Sequence, residues 1–413
     1  MNKAKALDDI RVLDLSRVLA GPFCTQMLGD MGAEIIKIEK PGAGDDTRYW
    51  GPPFLKDANG VDTSESAYYL SVGRNKKSVA IDIKTGEGQA LIRDLLKECD
   101  VLIHNFKVGG LEKYGLGYDQ LKNEYPALIY CAISGFGQTG PLAPEPGYDF
   151  LAQGMAGLMA CTGEPDGEPM KVGVALSDVM TGLNAATGIL AALHSRSRTG
   201  RGQMIDIALT DCTLAALTNI AQYYLTSGIC APRLGNAHST IVPYQAFKAR
   251  DGHIILAIGN DSQFRRFCDF AGKPEWSADP RFLTNTARLT HRETLCPMIA
   301  ALIAGQTGAY WIEGLRAADV PCGPVNRMDQ VFETEQIQAR DMEIFMDHKL
   351  APEPIALVGS PLKFSDTPVS YDIAPPVAGE HTAAVLKVLL NLSDEEITAL
   401  EQQGIIETHK TIL

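Results

Sequence analysis

The residue best placed for nucleophilic chemistry is Asp178. It follows a short run of small and apolar residues, and a helical pattern rich in Ala and Leu starts directly after it and continues to about His194. The carboxylate therefore lies where a loop meets a helix N-terminus, and the helix dipole favours its ionised form. A carboxylate needs no general base, because it is already ionised at pH 7. The small neighbours Gly173, Ala175 and Gly182 leave room for a substrate, but an Asp at such a position is also typical of a simple N-cap.

A second feature is the turn after the first predicted strand. Residues 11–16 have the apolar pattern of a buried strand, and Ala20-Gly21-Pro22 opens a helical pattern that runs to Met31. Proline is favoured in the first turn of a helix. Because the backbone N–H groups at a helix N-terminus bind anions, this turn is a ready site for a phosphate or an oxyanion.

The segment Gly135–Gly140 matches the pattern G-x-G-x-x-G and follows a predicted strand. A dinucleotide site would also require a helix to begin there. Pro141, Pro144 and Pro146 follow instead and disfavour that helix, so we reject a nicotinamide cofactor. The irregular loop can still present backbone N–H groups to a site.

The chain is acidic. Its 413 residues carry 37 Lys and Arg against 50 Asp and Glu, a net charge of −13, which argues against a nucleic-acid surface. An acidic protein that binds an anionic ligand must gather its basic residues locally. The glycine-rich loop from Lys40 to Arg48, with its basic ends, is one such place, although an ordinary surface loop has the same composition.

The cysteines indicate the cellular location of the protein, and the histidines indicate whether it binds a metal ion. Nine cysteines without a CxxC pair indicate buried, reduced thiols in a cytoplasmic protein. The eight histidines show no metal-like spacing, so no metal site is predicted. The N-terminus has no apolar signal segment. The uncharged run from Cys212 to Pro232 carries polar residues throughout, so we expect a buried helix there and no membrane span.

Strand and helix patterns alternate in the first half of the chain. Strand patterns fall at 11–16, 34–40, 78–83, 101–106, 128–134 and 203–209. Helical patterns fall at 22–31, 85–98, 111–125 in two pieces, 147–161, 179–194 and 211–227. The alternation predicts a doubly wound, mainly parallel α/β sheet of the Rossmann type.

The character of the chain changes near Gly228. Two strand patterns between Tyr244 and Ile258, joined by Asp251-Gly252, predict a β-hairpin, and helical patterns follow, as in a small α+β domain. The predicted division is a large α/β domain at 1–227, the small domain at 228–326, a linker helix at 327–345 and a C-terminal segment at 346–413.

Together these motifs resemble the class III CoA-transferases, the family of formyl-CoA:oxalate CoA-transferase. The matching segments are Val12-Leu13-Asp14 with Ala20-Gly21-Pro22, Ile36-Lys37-Ile38-Glu39, Gly44-Asp45 with Arg48, Asn75-Lys76-Lys77-Ser78, Asn105-Phe106, Ser134-Gly135-Phe136-Gly137, Gly147-Tyr148-Asp149, Asp178, Thr199-Gly-Arg-Gly-Gln203, Pro321-Cys-Gly-Pro324 and Gly379-Glu-His-Thr382. The resemblance covers nearly the whole length, and the order and spacing of the motifs make it specific.

The resemblance implies that Asp178 is the nucleophile of a ping-pong acyl transfer. Its carboxylate would attack the thioester of an acyl-CoA to give a mixed anhydride and CoA thiolate, and the thiolate would then form an aspartyl-CoA thioester. An acceptor acid would take up CoA by the same steps in reverse. Candidate oxyanion donors are the backbone N–H groups around Gly137 and Gly21, and one such donor typically contributes about 3 kcal/mol.

The resemblance also implies an interlocked homodimer, in which each chain is a ring threaded through its partner's. In this arrangement the large domain combines the N-terminal half with the C-terminal segment, and the small domain is inserted between them. The change of character near Gly228 and the predicted linker helix agree with that layout.

CoA and acyl-CoA would be substrates, with no permanently bound cofactor. Lys40 and Lys113 stand where the oxalate enzyme has arginine, and lysine keeps the charge but loses the bidentate fork. The residues expected to contact CoA are Val18, Leu19, Ala20, Lys40, Arg48, Asn105, Phe106, Lys113, Ser134 and Phe136.

The acceptor acid is predicted from a segment in which this chain differs from the oxalate enzyme. The oxalate enzyme has a run of glycines that covers its active site, whereas the matching stretch here is Gly235–Tyr244. This stretch looks more like members that move CoA from succinyl-CoA to other dicarboxylic acids, such as glutarate or hydroxymethylglutarate. The residues predicted to contact the acceptor are Arg17, Tyr148 and His238, with Arg74 and Arg233 as further counter-charges for its far carboxylate.

Two other functions fit the same pattern less well. An acyl-CoA racemase shares the fold, but its catalytic His lies at the position of Tyr148, beside Asp149, and a tyrosine with a pKa near 10 is a poor base at pH 7. A non-catalytic CoA-binding protein would not need Asp178 among small neighbours. We therefore predict a cytoplasmic, homodimeric CoA-transferase that acts on small molecules.

Overall fold

The structure, a computed structural model, describes residues 4–409. These residues form two compact units. The first contains the described chain up to Leu158, Val172–Gln222 and the described chain from Gln338 onward, and the second contains Met159–Lys171 and Tyr223–Ile337. The predicted domain limits stay a prediction.

Both units are built from short strands and helices. The strands are β1 (Arg11–Asp14), β2 (Glu34–Glu39), β3 (Phe54–Lys56), β4 (Asp62–Ser66), β5 (Lys76–Ile81), β6 (Val101–His104), β7 (Ile129–Ser134), β8 (Met204–Ala208), β9 (Tyr244–Lys248), β10 (His253–Ala257), β11 (Cys322–Pro324), β12 (Glu343–Met346), β13 (Ile355–Val358) and β14 (Ile406–Glu407). The α-helices are α1 (Ala20–Asp30), α2 (Ala67–Val72), α3 (Gly86–Leu96), α4 (Tyr118–Leu121), α5 (Asp149–Met155), α6 (Leu158–Cys161), α7 (Leu176–Thr199), α8 (Leu209–Ala216), α9 (Thr218–Ser227), α10 (Asp261–Phe270), α11 (Pro274–Ala278), α12 (Asn285–Thr290), α13 (Arg292–Ala304), α14 (Gly308–Ala317), α15 (Met328–Glu333), α16 (Glu335–Gln338), α17 (Thr382–Leu390) and α18 (Asp394–Gln402).

The first unit is organised around a seven-stranded sheet in the order β14-β5-β2-β1-β6-β7-β8. All neighbouring strands are parallel except β14, which runs antiparallel to β5. The prediction of a mainly parallel α/β sheet is confirmed. The antiparallel edge strand β14 has no local signal in the sequence, since only its pairing with β5 defines it.

The sheet is buried on both faces, as parallel sheets are. Every residue of β6 is buried. One face packs against α1 and α7 through residues such as Leu28 and Ile189. The other face packs against α3, α17 and α18 through residues such as Leu95 and Leu386. These layers produce the near-continuous apolar strand patterns that are visible in the sequence.

The chain winds in opposite directions from β1 to the two edges of the sheet, because β2 and β5 lie on one side of β1 and β6, β7 and β8 lie on the other. In open α/β sheets a ligand binds in the crevice at such a switch point, outside the carboxyl ends of the strands. A ligand is therefore expected between the loops that follow β1 and β6.

Some predicted helices are interrupted. The sequence predicts one helix over 211–227, but the chain forms α8 and α9 instead, because Thr218 has a φ of 35° and breaks the helical path. The linker helix predicted over 327–345 is also divided, into the short helices α15 and α16, since Thr334 is extended with a ψ of 133°. The helix propensities of the individual residues do not predict such breaks. The helix predicted at 85–98 is confirmed, with the Thr85 side chain accepting from the Gly88 N–H at 3.0 Å.

The second unit contains a three-stranded antiparallel sheet in the order β11-β10-β9. The predicted hairpin around Asp251-Gly252 corresponds to β9 and β10. Helices α10, α13 and α14 enclose its core, which includes Phe264, Phe267 and Trp311.

Within residues 4–409, α7 is the one single helix with the length and composition to cross a membrane, and the bent pair α13 and α14 would pass the same test only if counted together. α7 packs against α1, β7 and β8, and burying a face against a sheet explains its apolar composition equally well.

Candidate active site

The N-terminus of α7 is capped from outside its own segment. The Asp149 Oδ1 atom accepts a hydrogen bond from the backbone N–H of Ser177 at 2.8 Å and a longer one from that of Asp178 at 3.4 Å. The Asp149 Oδ2 atom accepts from the Gln153 amide at 2.8 Å, and Gln153 is fully buried. Val172 donates its N–H to the Gln153 Oε1 atom. Asp149 and Gln153, one turn apart on α5, thereby hold the segment that leads into α7.

Asp178 is the third residue of α7, and the N-cap position belongs to Ala175. The N-cap interpretation of Asp178 is therefore wrong, because the capping carboxylate is that of Asp149. The Asp178 side chain is left available for another role. Asp149, which the sequence marked only as part of a motif, is the residue that fixes the start of α7.

Burial raises the pKa of Asp178 to about 7, and the negative charge of Asp149 adds to the shift. The expectation that this carboxylate is fully ionised at pH 7 needs correction. It rested on the value of a solvated Asp, and the sequence does not show that the group is mostly enclosed or that a second carboxylate lies beside it. The helix dipole of α7 opposes the shift, because it favours the ionised form.

The first turn of α1 lies against the face of α7 that carries Asp178. Gly182 is one helical turn after Asp178 and so shares its face. A Cβ atom at Gly182 would lie 2.6 Å from the carbonyl oxygen of Ala20 and 3.0 Å from the Phe23 ring. Glycine at this position therefore permits a close approach of the two helices, and the first turn of α1 contacts α7 one helical turn after the candidate nucleophile.

The N-terminus of α1 offers free hydrogen-bond donors. Within residues 4–409, the backbone N–H groups of Ala20 and Gly21 have no acceptor. Gly21 is required by a close contact, since a Cβ atom there would lie 2.2 Å from the Ser16 Oγ atom. Two free N–H groups at the positive end of an 11-residue helix form a suitable site for an oxyanion.

The loop Gly135–Gly140 is less available than predicted. The N–H of Gly137 donates to the Ser134 Oγ atom at 2.9 Å, and the N–H of Gln138 donates to the Asp206 carboxylate at 3.0 and 3.1 Å. Two of its donors are therefore engaged within the protein. The loop instead positions Asp149, because the backbones of Gly135 and Gly147 are so close that a Cβ atom on either would lie within 2.4 Å of the other's Cα.

Sequence reasoning missed Tyr68. Burial raises the pKa of Tyr68 to about 12, and the charges of Asp178, Asp149 and Asp45 add to the shift, so its hydroxyl lies within the field of the candidate nucleophile. The Trp50 ring packs on Tyr68 edge to face, with centroids 5.4 Å apart.

Tyr68 is in α2, directly after the hairpin formed by β3 and β4. The hairpin had one usable sequence signal, Asn59-Gly60, a pair typical of tight β-turns. Gly60 indeed has a positive φ of 75°.

A cavity of about 330 Å³ opens at the carboxyl ends of β1, β2, β5 and β6. Its lining combines apolar residues with charges of both signs, the cations Arg17, Lys37, Lys40 and Lys84 and the acidic Glu39, Asp45, Asp46 and Asp82. Arg17 pairs with Asp46 and Lys37 pairs with Asp45. The Phe106 ring also lines it, and the Arg17 guanidinium lies 5.8 Å from the centre of that ring. A cavity with apolar walls, an aromatic ring and the exposed lysines Lys40 and Lys84 suits a ligand that combines an aromatic base with phosphates.

Several predicted CoA-contacting residues surround this cavity. Lys40 is exposed at its edge. Val18 and Leu19 lie in the loop between β1 and α1, and the Asn105 side chain holds this loop by accepting from the Arg17 N–H and donating to the Arg17 carbonyl. Lys113 packs its ammonium 4.8 Å from the centre of the Tyr114 ring, and Tyr114 lines the cavity.

Arg48 lies beneath this region and is buried. Its guanidinium donates to Glu39, Glu65, the Tyr69 hydroxyl and the Pro376 carbonyl. These contacts support a structural role, in which Arg48 joins β2 to β4 and to the C-terminal segment.

The remaining predicted residues are dispersed. Phe136 lines a separate cavity of about 280 Å³ next to Met155. Tyr148 precedes α5 and is 64% exposed. His238 belongs to the second unit, where its Nδ1 atom accepts from the Thr240 N–H and its ring packs on Tyr244.

The two further counter-charge candidates are engaged within the protein. Arg74 is buried and bonded to both oxygens of Asp30. Arg233 donates to the carbonyls of Glu164 and Gly167 in the second unit. Among residues 4–409, no group of three or more His, Cys, Asp and Glu side chains is arranged to hold a metal ion.

The chain is similar to known proteins over nearly its whole length. Residues 7–382 match the model of CoA-transferase family III. The chain is 46% identical over 390 residues to the succinate–glutarate CoA-transferase of Agrobacterium fabrum, which covers 94% of this chain and 96% of that protein. It is 41% identical over 411 residues to human succinyl-CoA:glutarate CoA-transferase, covering 100% of this chain and 92% of that protein. The crystal structure of a CAIB/BAIF family protein from Brucella suis matches with a TM-score of 0.83 at 45% identity, covering 93% of this chain and 99% of that one.

Proposed function

The chain belongs to CoA-transferase family III, and we propose that it moves CoA from succinyl-CoA to a dicarboxylic acid such as glutarate. The names of two similar proteins, one bacterial and one human, support this donor and acceptor. The single observation that carries the chemistry is the position of Asp178, in the first turn of α7 and beside the free N–H groups of α1.

In the proposed first half-reaction, the ionised Asp178 carboxylate attacks the thioester carbonyl of succinyl-CoA. The carbonyl oxygen becomes an oxyanion, and the N–H groups of Ala20 and Gly21 are in position to stabilise it. The C–S bond then breaks, CoA leaves as the thiolate, and a succinyl-aspartyl anhydride remains. The thiolate attacks the aspartyl carbonyl of this anhydride, which releases succinate and leaves CoA on Asp178 as a thioester.

In the second half-reaction, the acceptor carboxylate attacks the aspartyl-CoA carbonyl and displaces CoA thiolate. The thiolate then attacks the acceptor's own carbonyl in the new anhydride, which forms the product thioester and regenerates the Asp178 carboxylate. Each bond formed has an equivalent bond broken, so the exchange needs no external energy source.

The proposal places the nucleotide part of CoA in the cavity at the carboxyl ends of β1, β2, β5 and β6. Lys40 and Lys84 supply positive charge there, while Arg17 pairs with Asp46 at 2.9 Å, and an acidic protein needs such local cations to bind phosphates. Free CoA and its thioesters are substrates in this scheme.

A homodimer is part of the proposal. Large apolar side chains are exposed on α5, α7 and α9, with Phe150 at 58%, Leu183 at 43% and Leu225 at 74%, and no residue of α9 is buried. Apolar surface of this extent is typical of a protein–protein interface. We expect light scattering to give twice the mass of one chain.

The test is to incubate the protein with succinyl-CoA and, separately, glutarate, hydroxymethylglutarate, mesaconate, oxalate or carnitine. Mass spectrometry would follow the new thioester and, after hydroxylamine trapping, an adduct on the peptide that contains Asp178. We expect one molecule of glutaryl-CoA for each succinate released, and an adduct that is lost in Asp178→Asn but kept in Asp211→Asn, a control at an exposed position of α8. Absence of both transfer and adduct, while CoA still binds, would contradict the proposal.

A further inference from the structure

Lys76 is a buried cation that the proposed mechanism has not used. It belongs to the segment Asn75-Lys76-Lys77-Ser78, one of the motifs that carry the family resemblance, for which the sequence indicates no role. It is the first residue of β5, and none of its side chain is accessible to solvent. A lysine is almost never fully buried unless its ammonium has partners, so the partners of Lys76 indicate its purpose.

The Lys76 ammonium holds the first turn of α1. Its Nζ atom donates to the carbonyl of Pro22 at 2.7 Å. The Thr25 hydroxyl also lies 3.3 Å from that carbonyl. Pro22 is the third residue of α1, directly after the two residues whose N–H groups are free. Any shift of the Pro22 carbonyl would therefore reorient the N–H groups of Ala20 and Gly21.

Asp14 balances the charge of Lys76. The carboxylate, fully buried at the end of β1, lies 3.8 Å from the ammonium and accepts hydrogen bonds from the Ser16 N–H and the Thr25 hydroxyl. Burial lowers the pKa of Lys76 to about 8, and the negative charge of Asp14 opposes that shift, so the ammonium stays mostly charged at neutral pH. The resulting network ties β5, β1 and the start of α1 together.

The same turn is confined from two further directions. Gly182 of α7 approaches the carbonyl of Ala20, as described above. In the loop before the turn, Lys37 donates to the carbonyl of Ser16 at 2.8 Å. Val18 in this loop has a φ of 71°, which is a strained conformation for a β-branched residue. Such strain persists only where the surroundings fix the backbone.

We propose that Lys76 is a positioning residue, which holds the N-terminal turn of α1 in the orientation that binds the oxyanion of the transfer reaction. The inference rests on the proposed function for the identity of that oxyanion. Lys76 does not touch the substrate in this assignment.

The experiment compares Lys76→Met with Lys77→Met. Lys77 is the next residue of β5 and the matched control, because its side chain is 35% exposed and pairs with Glu34. In Lys76→Met we expect the rate of aspartyl-adduct formation in a single turnover, and kcat, to fall about 100-fold, since a misplacement of roughly 1 Å has this effect. The dissociation constant of free CoA should change less than threefold, because free CoA has no thioester carbonyl that could become the oxyanion of the reaction. Both quantities should stay near the wild-type values in Lys77→Met.

Removing Lys76 alone leaves the Asp14 carboxylate buried without its cation, which can prevent folding. The double variant Asp14→Asn/Lys76→Met removes both charges and is measured in parallel. Gly182→Ala pushes on the Ala20 carbonyl from the opposite side and should also lower kcat more than it weakens CoA binding. If the folded double variant transfers CoA at the wild-type rate, Lys76 has no positioning role.

Hydrogen–deuterium exchange of the peptide covering residues 16–24 gives a readout that does not depend on activity. Exchange should be faster in the double variant than in Lys77→Met, and equal exchange in the two would overturn the inference. A wild-type protein that fails to transfer CoA would instead contradict the proposed function, while the exchange comparison would still decide whether Lys76 fixes the turn.

Discussion

The carboxyl group of Asp178 meets two opposing requirements. In the proposed mechanism it must be ionised to attack a thioester, yet burial and the neighbouring Asp149 favour its neutral form. A more basic carboxylate is also a stronger nucleophile once it is ionised. A pKa of about 7 leaves a substantial ionised fraction at neutral pH and raises the reactivity of that fraction.

This balance predicts the pH dependence of the first chemical step. The rate of aspartyl-adduct formation should rise with pH through about 7 and then level off, because only the ionised form of Asp178 reacts. In Asp149→Asn the midpoint should move to lower pH, since the negative charge that raises the pKa is gone. Single-turnover measurements between pH 5 and 9 would check this, and an unchanged midpoint in the variant would show that Asp149 does not act through its charge.

Asp178 should also make the protein less stable at higher pH. In the unfolded chain its pKa is near the ordinary value of 3.8, and in the folded protein it is about 7. Folding thus opposes ionisation, so stability is lost as pH rises between these values and the penalty is complete above pH 7. Asp178→Asn should therefore be more stable than the wild type at pH 8, by at most about 4 kcal/mol at about 1.4 kcal/mol for each pKa unit.

The measurement is the midpoint of thermal unfolding of both proteins at pH 4 and at pH 8. The difference between them should be small at pH 4 and should favour Asp178→Asn at pH 8. A difference of the same size at both values would mean that ionisation is not its cause.

At this scale the sequence identified Asp178 as a candidate nucleophile but did not predict the groups that surround it. Asp178 stood out because small residues surround it and a helix follows. Its raised pKa did not, because Asp149 is on a different helix, and no spacing rule connects the two. Tyr68 was missed for a related reason, since its position depends on the hairpin before it and on Trp50.

Among the elements, the close pairing of α1 and α7 creates the candidate site. Two helix N-termini lie side by side, and one presents a carboxylate while the other presents free N–H groups. The contact depends on Gly182, where a larger residue would clash with Ala20, and the turn that begins α1 depends on Gly21, where a larger residue would clash with Ser16. Both helices were predicted from the sequence, but their mutual approach was not, because glycine in a helical pattern ordinarily only lowers its propensity.

The contact between Gly135 and Gly147 leads to a test at the level of the loops. Gly147→Ala would place a Cβ atom 2.1 Å from the Gly135 Cα, so the backbone before Asp149 must move. Because Asp149 caps α7, we expect kcat to fall roughly 100-fold, as misplacements of about 1 Å do. Gly86→Ala, where the added Cβ meets nothing within 4 Å, should keep kcat unchanged. Steady-state kinetics of both variants would settle the comparison, and equal kcat values would mean that this contact does not position Asp149.

At the scale of the whole molecule, the binding of an anionic ligand depends more on where the charges lie than on the net charge. The protein carries a net charge of −13, yet Arg17, Lys40 and Lys84 line one cavity at the switch point of the sheet. The parallel sheet was predictable, because buried strands alternate with helices in the sequence. The cavity was only partly predictable, since Lys84 and Tyr114 reach it from strands and turns that are distant along the chain.

This arrangement predicts the effect of removing one cation. Lys40→Ala should raise the KM for succinyl-CoA about tenfold, which corresponds to about 1.4 kcal/mol for one charge-assisted contact. The kcat should change little, because Lys40 is remote from the bonds that break. Lys97→Ala, at an exposed lysine paired with Asp94, should leave the KM unchanged. Kinetics at low and high ionic strength would test the electrostatic origin, since the difference should shrink with added salt, and an equal KM in both variants would remove Lys40 from the CoA site.

The pairing of β14 with β5 affects the order in which the protein can mature during synthesis. The Gly379 N–H donates to the Ser78 hydroxyl, and the Asp372 N–H donates to the Asn75 side chain, across 301 and 297 residues of chain. The strand that holds Lys76 is thus completed by a segment that is synthesised about 300 residues later. Until then its edge stays open, and an open strand edge can pair with another polypeptide.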